Sequence, residues 1–203
     1  MMQNKVIIGL TGGSGAGKGE VAKVFESIDA QIIDADAIAH RIIRRGESPA
    51  YECVIAAFGK GILGADNEIC RRKLREIVFA NKIQLKMLED CVHPVIIDNI
   101  LQLAENSKKQ FVVIDAPLLI PSGLDKICHV VVGVFAPLDV RIARICQRDG
   151  ISADHARLRI DSQMLDDGLR RQVDFVLENG GGLEELDEKV IKIIGIINNS
   201  FGA

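Results

Sequence analysis

Short runs of apolar residues alternate along this chain with longer stretches in which apolar residues recur every three or four positions. In the stretch from Lys18 to Ile28, for example, Val21, Val24 and Phe25 form one apolar stripe, which predicts an amphipathic helix. The short runs predict buried strands at 5–11, 30–34, 111–116 and 128–136, with a weaker one at Phe175-Val176-Leu177. Nearly continuous apolar strands that alternate with helices are typical of an α/β fold with a parallel sheet flanked by helices.

The spacing of these elements predicts one domain with two additions. The interval from about 46 to 110 is too long for one crossover helix, so we expect an inserted helical subdomain there. A polar, arginine-bearing stretch at about 148–172 precedes the last strand, and we expect it to form a lid that moves over phosphates. The remaining residues, about 1–45 and 111–203, are expected to form the core.

The first predicted strand leads directly into a glycine-rich loop, Gly12-Gly13-Ser14-Gly15-Ala16-Gly17-Lys18. Glycines let successive backbone N–H groups point at one anion, and the following helix start adds partial positive charge. A glycine, four residues and then Gly17-Lys18, between a strand and a helix, is the spacing of a phosphate-binding loop. The alternative is a glycine-rich turn beside a surface lysine. The context favours the phosphate site, so we predict a protein that uses ATP.

Composition narrows the expected partners to small molecules. Of the 203 residues, 48% are hydrophobic and 26% charged, and the net charge of −3 gives no electrostatic basis for binding nucleic acid or an anionic membrane. Aromatic residues make up only 4%, so base-stacking platforms are not expected. No apolar run approaches the length of about 18 residues that a membrane span needs.

The cysteines give no sign of a metal site or a disulfide framework. No pair has the CxxC spacing, and no histidine pattern completes a zinc site. Because the count is odd and no cleavable leader is predicted, we expect reduced thiols and a cytoplasmic protein. The residues are Cys53, Cys70, Cys91, Cys128 and Cys146.

Three carboxylates follow predicted strands, where parallel sheets bind their ligands. Asp34 and Asp36 end the second strand, and we expect one of them, preferably Asp36, to be a general base for a hydroxyl and the other to lie near Mg²⁺. The alternative is that one of them caps a helix beginning near Ala37. Asp115 closes the third strand after four apolar residues, a pattern typical of magnesium-binding strands that also arises by chance.

Arginines supply the candidate cations for the phosphates. Arg141, Arg144 and Arg148 recur at spacings of three and four, so they share one helix face. We expect Arg141 to be solvated, as such rows usually are. Arg148 and Arg170 are the better candidates, because a kinase needs cations on the phosphates from the lid side. Other arginines of the predicted lid are Arg157, Arg159 and Arg171.

The predicted insertion has its own candidates. The segment Arg71-Arg72-Lys73-Leu74-Arg75 would grip an anionic substrate or form an ordinary polar helix face, and its spacing does not decide between the two. His93 precedes Pro94, which predicts a helix start there.

Together these motifs resemble the dephospho-coenzyme A kinase family, nearly from end to end. The resemblance implies a P-loop kinase core like that of nucleoside-monophosphate kinases, with a helical coenzyme-binding insertion and a lid. It implies transfer of the ATP γ-phosphoryl group to the ribose 3′-hydroxyl of dephospho-coenzyme A, the last step of coenzyme A synthesis. The residues that carry it are Leu10-Thr11-Gly12-Gly13 with the loop to Lys18, Ile33-Asp34-Ala35-Asp36, Arg71 to Arg75 with Phe79-Ala80-Asn81, His93-Pro94, Pro117-Leu118-Leu119, Gln147-Arg148-Asp149, Arg159-Ile160, Gln163, Arg170, Asp174 and Asn179-Gly180.

The same resemblance implies roles for individual residues. Asp36 would be the base that faces the 3′-hydroxyl. Independently of the resemblance, the strand-end positions make Asp36 and Asp115 the candidate magnesium ligands. Lys18, Arg148 and Arg170 would serve ATP. The loop would wrap the phosphates through Gly13, Ser14, Gly15, Ala16, Gly17, Lys18, Gly19 and Glu20. The coenzyme side would hold Asp34, Arg75, His93 and Leu118.

The chain departs from the family pattern at several positions. Gly19-Glu20 replaces the usual hydroxyl pair after the lysine, which removes a metal ligand and places an acid near the phosphates. Pro121 stands where the family typically has Glu, and Gly168-Leu169 replaces a more polar stretch. We therefore expect a weaker Mg²⁺ dependence than in a Gly19→Ser variant.

Three other functions are compatible with parts of the pattern. One is a small-molecule kinase of the same fold with another acceptor, and another is a degenerate kinase fold that binds nucleotide without catalysis. The third is a GTPase-type switch, since Asn81-Lys82-Ile83-Gln84 approaches the guanine-reading motif. However, Gln84 replaces the aspartate that would accept from the base, and the segment lies in the predicted insertion.

Overall fold

The computed structural model of this chain describes residues 5–163 and 166–201. The strands are β1 (Val6–Thr11), β2 (Gln31–Asp34), β3 (Phe111–Asp115), β4 (Val130–Phe135) and β5 (Phe175–Glu178). The helices are α1 (Lys18–Ser27), α2 (Ala35–Ile42), α3 (Pro49–Phe58), α4 (Arg71–Ala80), α5 (Lys82–Asn106), α6 (Leu138–Asp149), α7 (Ala153–Asp161), α8 (Asp166–Arg170) and α9 (Leu183–Phe201), with 3-10 turns at Lys60–Ile62 and Leu124–Ile127. Among the described helices, none is long and apolar enough to cross a bilayer.

The five strands form one parallel sheet in the order β2-β3-β1-β4-β5, which confirms the predicted α/β class. The central strand β1 pairs with β3 on one side and β4 on the other, so Ile8 lies opposite both Val113 and Val130. Every residue of β4 is buried, as expected for a strand covered on both faces. Since the strands are parallel, their carboxyl ends share one edge of the sheet, where α/β proteins bind ligands.

The chain forms two compact units. One contains the sheet and consists of the residues up to Ile33 and those from Ser107 onward. Its core includes Phe25 of α1 and Val190 of α9, which are fully buried with residues of the strands. Burying apolar side chains of this size contributes about 1.5–3 kcal/mol each, which holds α1 in place behind the glycine-rich loop.

The second unit is the helical segment Asp34–Asn106. It has its own core, in which Tyr51 and Val54 of α3 pack with Leu74 and Val78 of α4. The sequence predicted an insertion over about 46–110. The compact unit begins earlier because α2 packs against α5 and α3.

A disulfide joins Cys53 of α3 to Cys91 of α5, with the two Cα atoms 5.6 Å apart. The prediction of reduced thiols is therefore wrong for this pair, while Cys70, Cys128 and Cys146 are free. The two residues are 38 positions apart in sequence, and they meet because α3 packs along α5. The spacing of the cysteines in the sequence does not predict that packing.

The His93-Pro94 pair does not start a helix, contrary to the prediction. Pro94 lies inside α5, where it removes one backbone donor without ending the helix. The helix begins after Asn81, whose Oδ1 accepts hydrogen bonds from Ile83 N (2.8 Å) and Gln84 N (3.4 Å). Asn81 is thus a helix cap. This gives a structural role to the first residue of the segment Asn81-Lys82-Ile83-Gln84, which resembles a guanine-reading motif.

Candidate functional site

The glycine-rich loop leaves the carboxyl end of β1 and enters α1 at Lys18, as the sequence predicts. Gly12 and Gly17 are among the loop glycines that the structure requires. Gly12 has a φ of +150°, and a Cβ there would lie 2.4 Å from Val134 O. Gly17 has a φ of +97°, and a Cβ there would lie 2.0 Å from Asn179 Nδ2. The loop is therefore packed closely against the ends of the neighbouring strands, and side chains at these positions would displace it.

The loop presents unpaired backbone donors. In the part of the chain that the structure describes, no protein acceptor lies within hydrogen-bond reach of the N–H groups of Gly15, Gly17, Lys18 and Gly19. These residues line a cavity of about 760 Å³ at the amino end of α1. Converging N–H groups and the partial positive charge of a helix start form an anion site, and the volume accommodates a nucleotide's phosphates.

Cationic side chains line the same cavity. Its lining includes four basic residues, Lys18, Lys23, Arg144 and Arg148. The acidic residue Glu20 also lines the cavity and forms an ion pair with Lys23 (2.9 Å). Several fixed positive charges around one cavity raise its affinity for polyphosphates.

Lys18 forms an ion pair with Asp115 at the end of β3. Lys18 Nζ lies 3.0 Å from Asp115 Oδ1, and the side chains are only 15% and 22% exposed. The contact is electrostatic rather than a hydrogen bond, because Asp115 Oδ1 accepts none within the described residues. The pair brings together the loop lysine and the strand-end carboxylate that the sequence singled out.

Arg141 is buried, so the prediction that it is solvated is wrong. It is 4% exposed. Its Nη1 donates to both carboxylate oxygens of Asp166 at 3.0 Å, and its Nε donates to Ser14 O at 2.9 Å. The helix spacing placed Arg141 on one face of α6 correctly, but did not show that the loop and α8 cover that face.

Arg144 and Asn179 hold the loop through its backbone carbonyls, a role that the residue patterns did not reveal. Arg144 Nη1 contacts the carbonyls of Gly15 and Ala16 at 3.4 Å and that of Asn179 at 3.1 Å. The buried Asn179 donates from Nδ2 to Ala16 O at 2.8 Å. These bonds occupy the carbonyls of Gly15 and Ala16, while the N–H groups of Gly15, Gly17, Lys18 and Gly19 have no described acceptor.

Arg148, predicted to contact ATP, lies at the rim of the cavity and is exposed. It donates two hydrogen bonds to Asp149, at 2.7 and 2.9 Å, and Arg159 donates to the same carboxylate. Hydrogen bonds from Arg148 and then from Arg159 hold the pKa of Asp149 well below its usual range. The three side chains form one cluster, which fixes Arg148 beside the phosphate cavity.

Arg170, the other predicted ATP residue, ends α8. Its guanidinium lies 4.1 Å from the centre of the Phe135 ring and 2.5 Å from Glu178 Oε1. The hydrogen bond from Arg170 lowers the pKa of Glu178, and Glu178 in turn raises that of Arg170. Arg170 is thus positioned at the carboxyl ends of β4 and β5.

The predicted lid spans about 148–172, of which residues 164 and 165 lie outside the described residues. Its described part consists mainly of α7, which packs on α6, and α8, which contacts β4. Leu118, predicted to be on the coenzyme side, is exposed in the turn after β3.

The remaining predicted substrate residues lie in the helical unit. Asp34 caps α2, since its Oδ1 accepts from Ala37 N at 2.8 Å, so the capping alternative holds for this residue. Asp36 is exposed in the first turn of α2. Arg75 is exposed on α4, and His93 is half-buried in α5. In the cluster beside Arg75, Lys73 donates to two backbone carbonyls and therefore has a structural role.

We expect Gly17→Ala to destabilise the protein by about 1–3 kcal/mol and to abolish measurable ATP binding, because the left-handed backbone and the contact with Asn179 both oppose a Cβ. The matched control is Gly19→Ala, where a Cβ meets nothing within 4 Å. That change should raise the unfolding midpoint slightly, since alanine favours helix. Thermal unfolding with and without ATP measures both, and equal shifts in the two variants would contradict the loop geometry.

Known proteins match this chain over nearly its whole length. A family model described as dephospho-CoA kinase matches residues 6–185. A dephospho-CoA kinase from Bacillus licheniformis is 34% identical over 197 residues, covering 96% of this chain and 98% of the relative. The similarity therefore includes the phosphate loop, the helical unit and the segment around Arg170.

Two solved structures share the fold. The Thermus thermophilus protein TT1252 aligns with a TM-score of 0.82 at 30% identity, covering 94% of this chain and 97% of that one. A dephospho-CoA kinase from Campylobacter jejuni aligns with a TM-score of 0.67, also at 30% identity, covering 98% and 99%.

Proposed function

Because this chain belongs to the dephospho-CoA kinase family, it is a kinase that converts dephospho-CoA to CoA, and we propose how its residues divide that work. ATP supplies the phosphoryl group. The 3′-oxygen of the acceptor ribose bonds to the γ-phosphorus, the bond from that phosphorus to the β–γ bridging oxygen breaks, and ADP leaves. The observation that carries the proposal is the row of unpaired N–H groups beside Lys18.

We assign the ATP phosphates to the loop and its cations. The N–H groups of Gly15, Gly17, Lys18 and Gly19 would bind the β- and γ-phosphate oxygens, and the Lys18 ammonium would neutralise charge as the phosphoryl group transfers. Arg148 and Arg170 would bind from the other side. What supports this assignment is that Gly15, Gly17 and Gly19 line one cavity with Lys18 and Arg148.

We assign the acceptor to the helical unit and to the turn after β3. Asp36 would take the proton of the 3′-hydroxyl as the oxygen attacks phosphorus, which leaves a neutral carboxyl group. An exposed carboxylate suits this role, since the acceptor must reach it. Asp34, Arg75, His93 and Leu118 would contact the rest of the coenzyme, with Asp34 also capping α2.

The residues present fit a magnesium ion that arrives with ATP. Asp115 Oδ1 is a buried carboxylate oxygen that lies 3.0 Å from the Lys18 ammonium, and Mg²⁺ prefers carboxylate oxygens as ligands. No described group of three or more His, Cys, Asp or Glu side chains would hold a metal alone. We therefore propose Asp115 as the carboxylate that would act alongside the phosphates and water, and Asp36 as a separate candidate ligand. Bound Mg²⁺ would neutralise charge on the β- and γ-phosphates.

We expect Gly19→Ser to lower the half-saturating Mg²⁺ concentration about tenfold, the effect of one added hydroxyl ligand. A side chain fits here, because a Cβ at Gly19 meets nothing within 4 Å. Mg²⁺ titrations of activity and of ATP binding by calorimetry compare the two proteins. Superimposable curves would show that the missing hydroxyl is of no consequence to metal binding.

Product analysis tests the function directly. Purified protein is incubated with ATP, Mg²⁺ and dephospho-CoA, and in parallel with adenosine, shikimate and nucleoside monophosphates. CoA and ADP should form in equal amounts, with no product from the other acceptors. Phosphorylation of another acceptor alone would favour a different small-molecule kinase, and ATP binding without any product would favour a degenerate fold. We propose a cytoplasmic location for the protein, where a disulfide such as Cys53–Cys91 is rare.

A further inference from the structure

Two side chains converge on Ser14, at the tip of the phosphate loop. Ser14 N–H donates to Gln163 Oε1 at 2.8 Å, and Ser14 Oγ accepts from Gln163 Nε2 at 3.1 Å. The Ser14 carbonyl accepts from Arg141 Nε at 2.9 Å. Every polar atom of Ser14 is thus bonded to a side chain that follows β4, and the reaction proposed above assigns no role to Gln163.

The Gln163 amide is itself held in a fixed position. Its Oε1 also lies 3.4 Å from Nη2 of Arg141, which is buried and anchored on Asp166. Gln163 and Arg141 can lie this close to the loop because residue 13 is a glycine. A Cβ on Gly13 would lie 3.0 Å from Gln163 Oε1 and 2.3 Å from Arg141 Nη2. Such close contacts restrict Ser14 to one orientation, because both of its backbone polar groups are engaged.

The hydrogen bonds from Gln163 and Arg141 to Ser14, here called the clamp, determine which N–H groups of the loop remain free for a ligand. Ser14 N–H is taken by Gln163, and Ala16 N–H is taken by Gly13 O at 3.1 Å. Among the loop residues that line the cavity, the N–H groups without a described partner include those of Gly13, Gly15, Gly17, Lys18 and Gly19. If Ser14 turned, the peptide planes of the next residues would turn with it, and these donors would no longer converge.

We propose that Gln163 is a positioning residue for ATP, which fixes Ser14 so that the free loop donors converge on the phosphates. The inference rests on the proposed function only in taking ATP as the ligand. Gln163 directly follows the end of α7 and Ser162, so the position of α7 and the shape of the loop are coupled through this one side chain.

The test uses Gln163→Leu, which leaves an apolar, branched side chain and removes both hydrogen bonds to Ser14. We expect the Kd and KM for ATP to rise about tenfold, the loss expected from one to two neutral hydrogen bonds. The KM for dephospho-CoA and the kcat at saturating ATP should stay within about twofold. Gln110→Leu is the matched control, because Gln110 is exposed and contacts Asn198 at the amino end of β3.

Ser14→Ala supplies a second, milder variant that removes only the hydroxyl contact. Its ATP affinity should fall about threefold, and adding it to Gln163→Leu should weaken binding less than the separate effects predict, because the contacts are shared. Unchanged ATP affinity in both variants, or tighter binding, would overturn the proposal. Calorimetry with ATP alone separates this outcome from a failure of the proposed function, which concerns the acceptor.

Discussion

Replacing Asp36 by Asn should lower kcat by about 10²–10⁴-fold, the range that a general base contributes, while the Kd for ATP stays near its wild-type value. The amide has nearly the shape of the carboxylate but cannot take the 3′-hydroxyl proton. Asp36 is exposed in the first turn of α2, so the change leaves the core intact. Single-turnover formation of CoA measures the chemical step, and calorimetry measures ATP binding.

The control for this prediction is Asp34→Asn, two residues earlier. Asparagine caps helices as well as aspartate does, so the bond from Ala37 N and the stability of α2 should persist. If Asp34 acts chiefly as a cap, this variant keeps most of its activity. Equal losses in the two variants would contradict the assignment of the base to Asp36, and an Asp36→Asn protein with wild-type kcat would exclude it.

Arg141→Met should destabilise the protein by about 1–3 kcal/mol, because it leaves the Ser14 carbonyl and the partly exposed Asp166 carboxylate without their buried partner. ATP affinity should fall as well, since Ser14 loses one of the two side chains that hold it in place. Chemical unfolding and ATP calorimetry measure the two effects. The matched control, Arg157→Met on the exposed side of α7, should change stability by less than about 0.5 kcal/mol.

A double variant separates the loss of the ion pair from the loss of the loop contact. Adding Asp166→Asn to Arg141→Met removes the unpaired charge, so part of the lost stability should return while ATP affinity stays low. Arg141→Met with wild-type stability would show that the arginine is dispensable and that the solvated alternative was adequate. Full recovery of ATP affinity in the double variant would show that the contact with Ser14 does not matter.

The parts of the site that the sequence predicted are those encoded within a few residues. The phosphate loop needs glycines at fixed offsets, and Asp115 is identified by the four apolar residues before it. The ion pair between Lys18 and Asp115 follows from these two local signals once the strands are parallel and adjacent. The capping role of Asp34 is also local, because cap and helix start are three residues apart.

The wrong predictions concern contacts between segments that are distant in sequence. Arg141 and Ser14 are 127 positions apart, and Cys53 and Cys91 are 38 apart. A charged residue on an amphipathic helix has the same sequence signature whether water or another segment covers it. Likewise, Pro94 signals a helix start in most contexts, but packing of α5 against α2, α3 and α4 stabilises the helix through it.

Local patterns along the chain were enough to predict the α/β class, the positions of the strands in the sequence, the phosphate loop and, through its motifs, the family. These features follow from hydrophobic periodicity and glycine spacing, which involve residues close together in the sequence and can therefore be recognised without the structure. Only the tertiary structure decided which donors of the loop are free, because Gln163, Arg141, Arg144 and Asn179 reach it from the far end of the chain. Hydrogen bonds between distant segments form only after the sheet has aligned them, and no local pattern records which atoms they occupy.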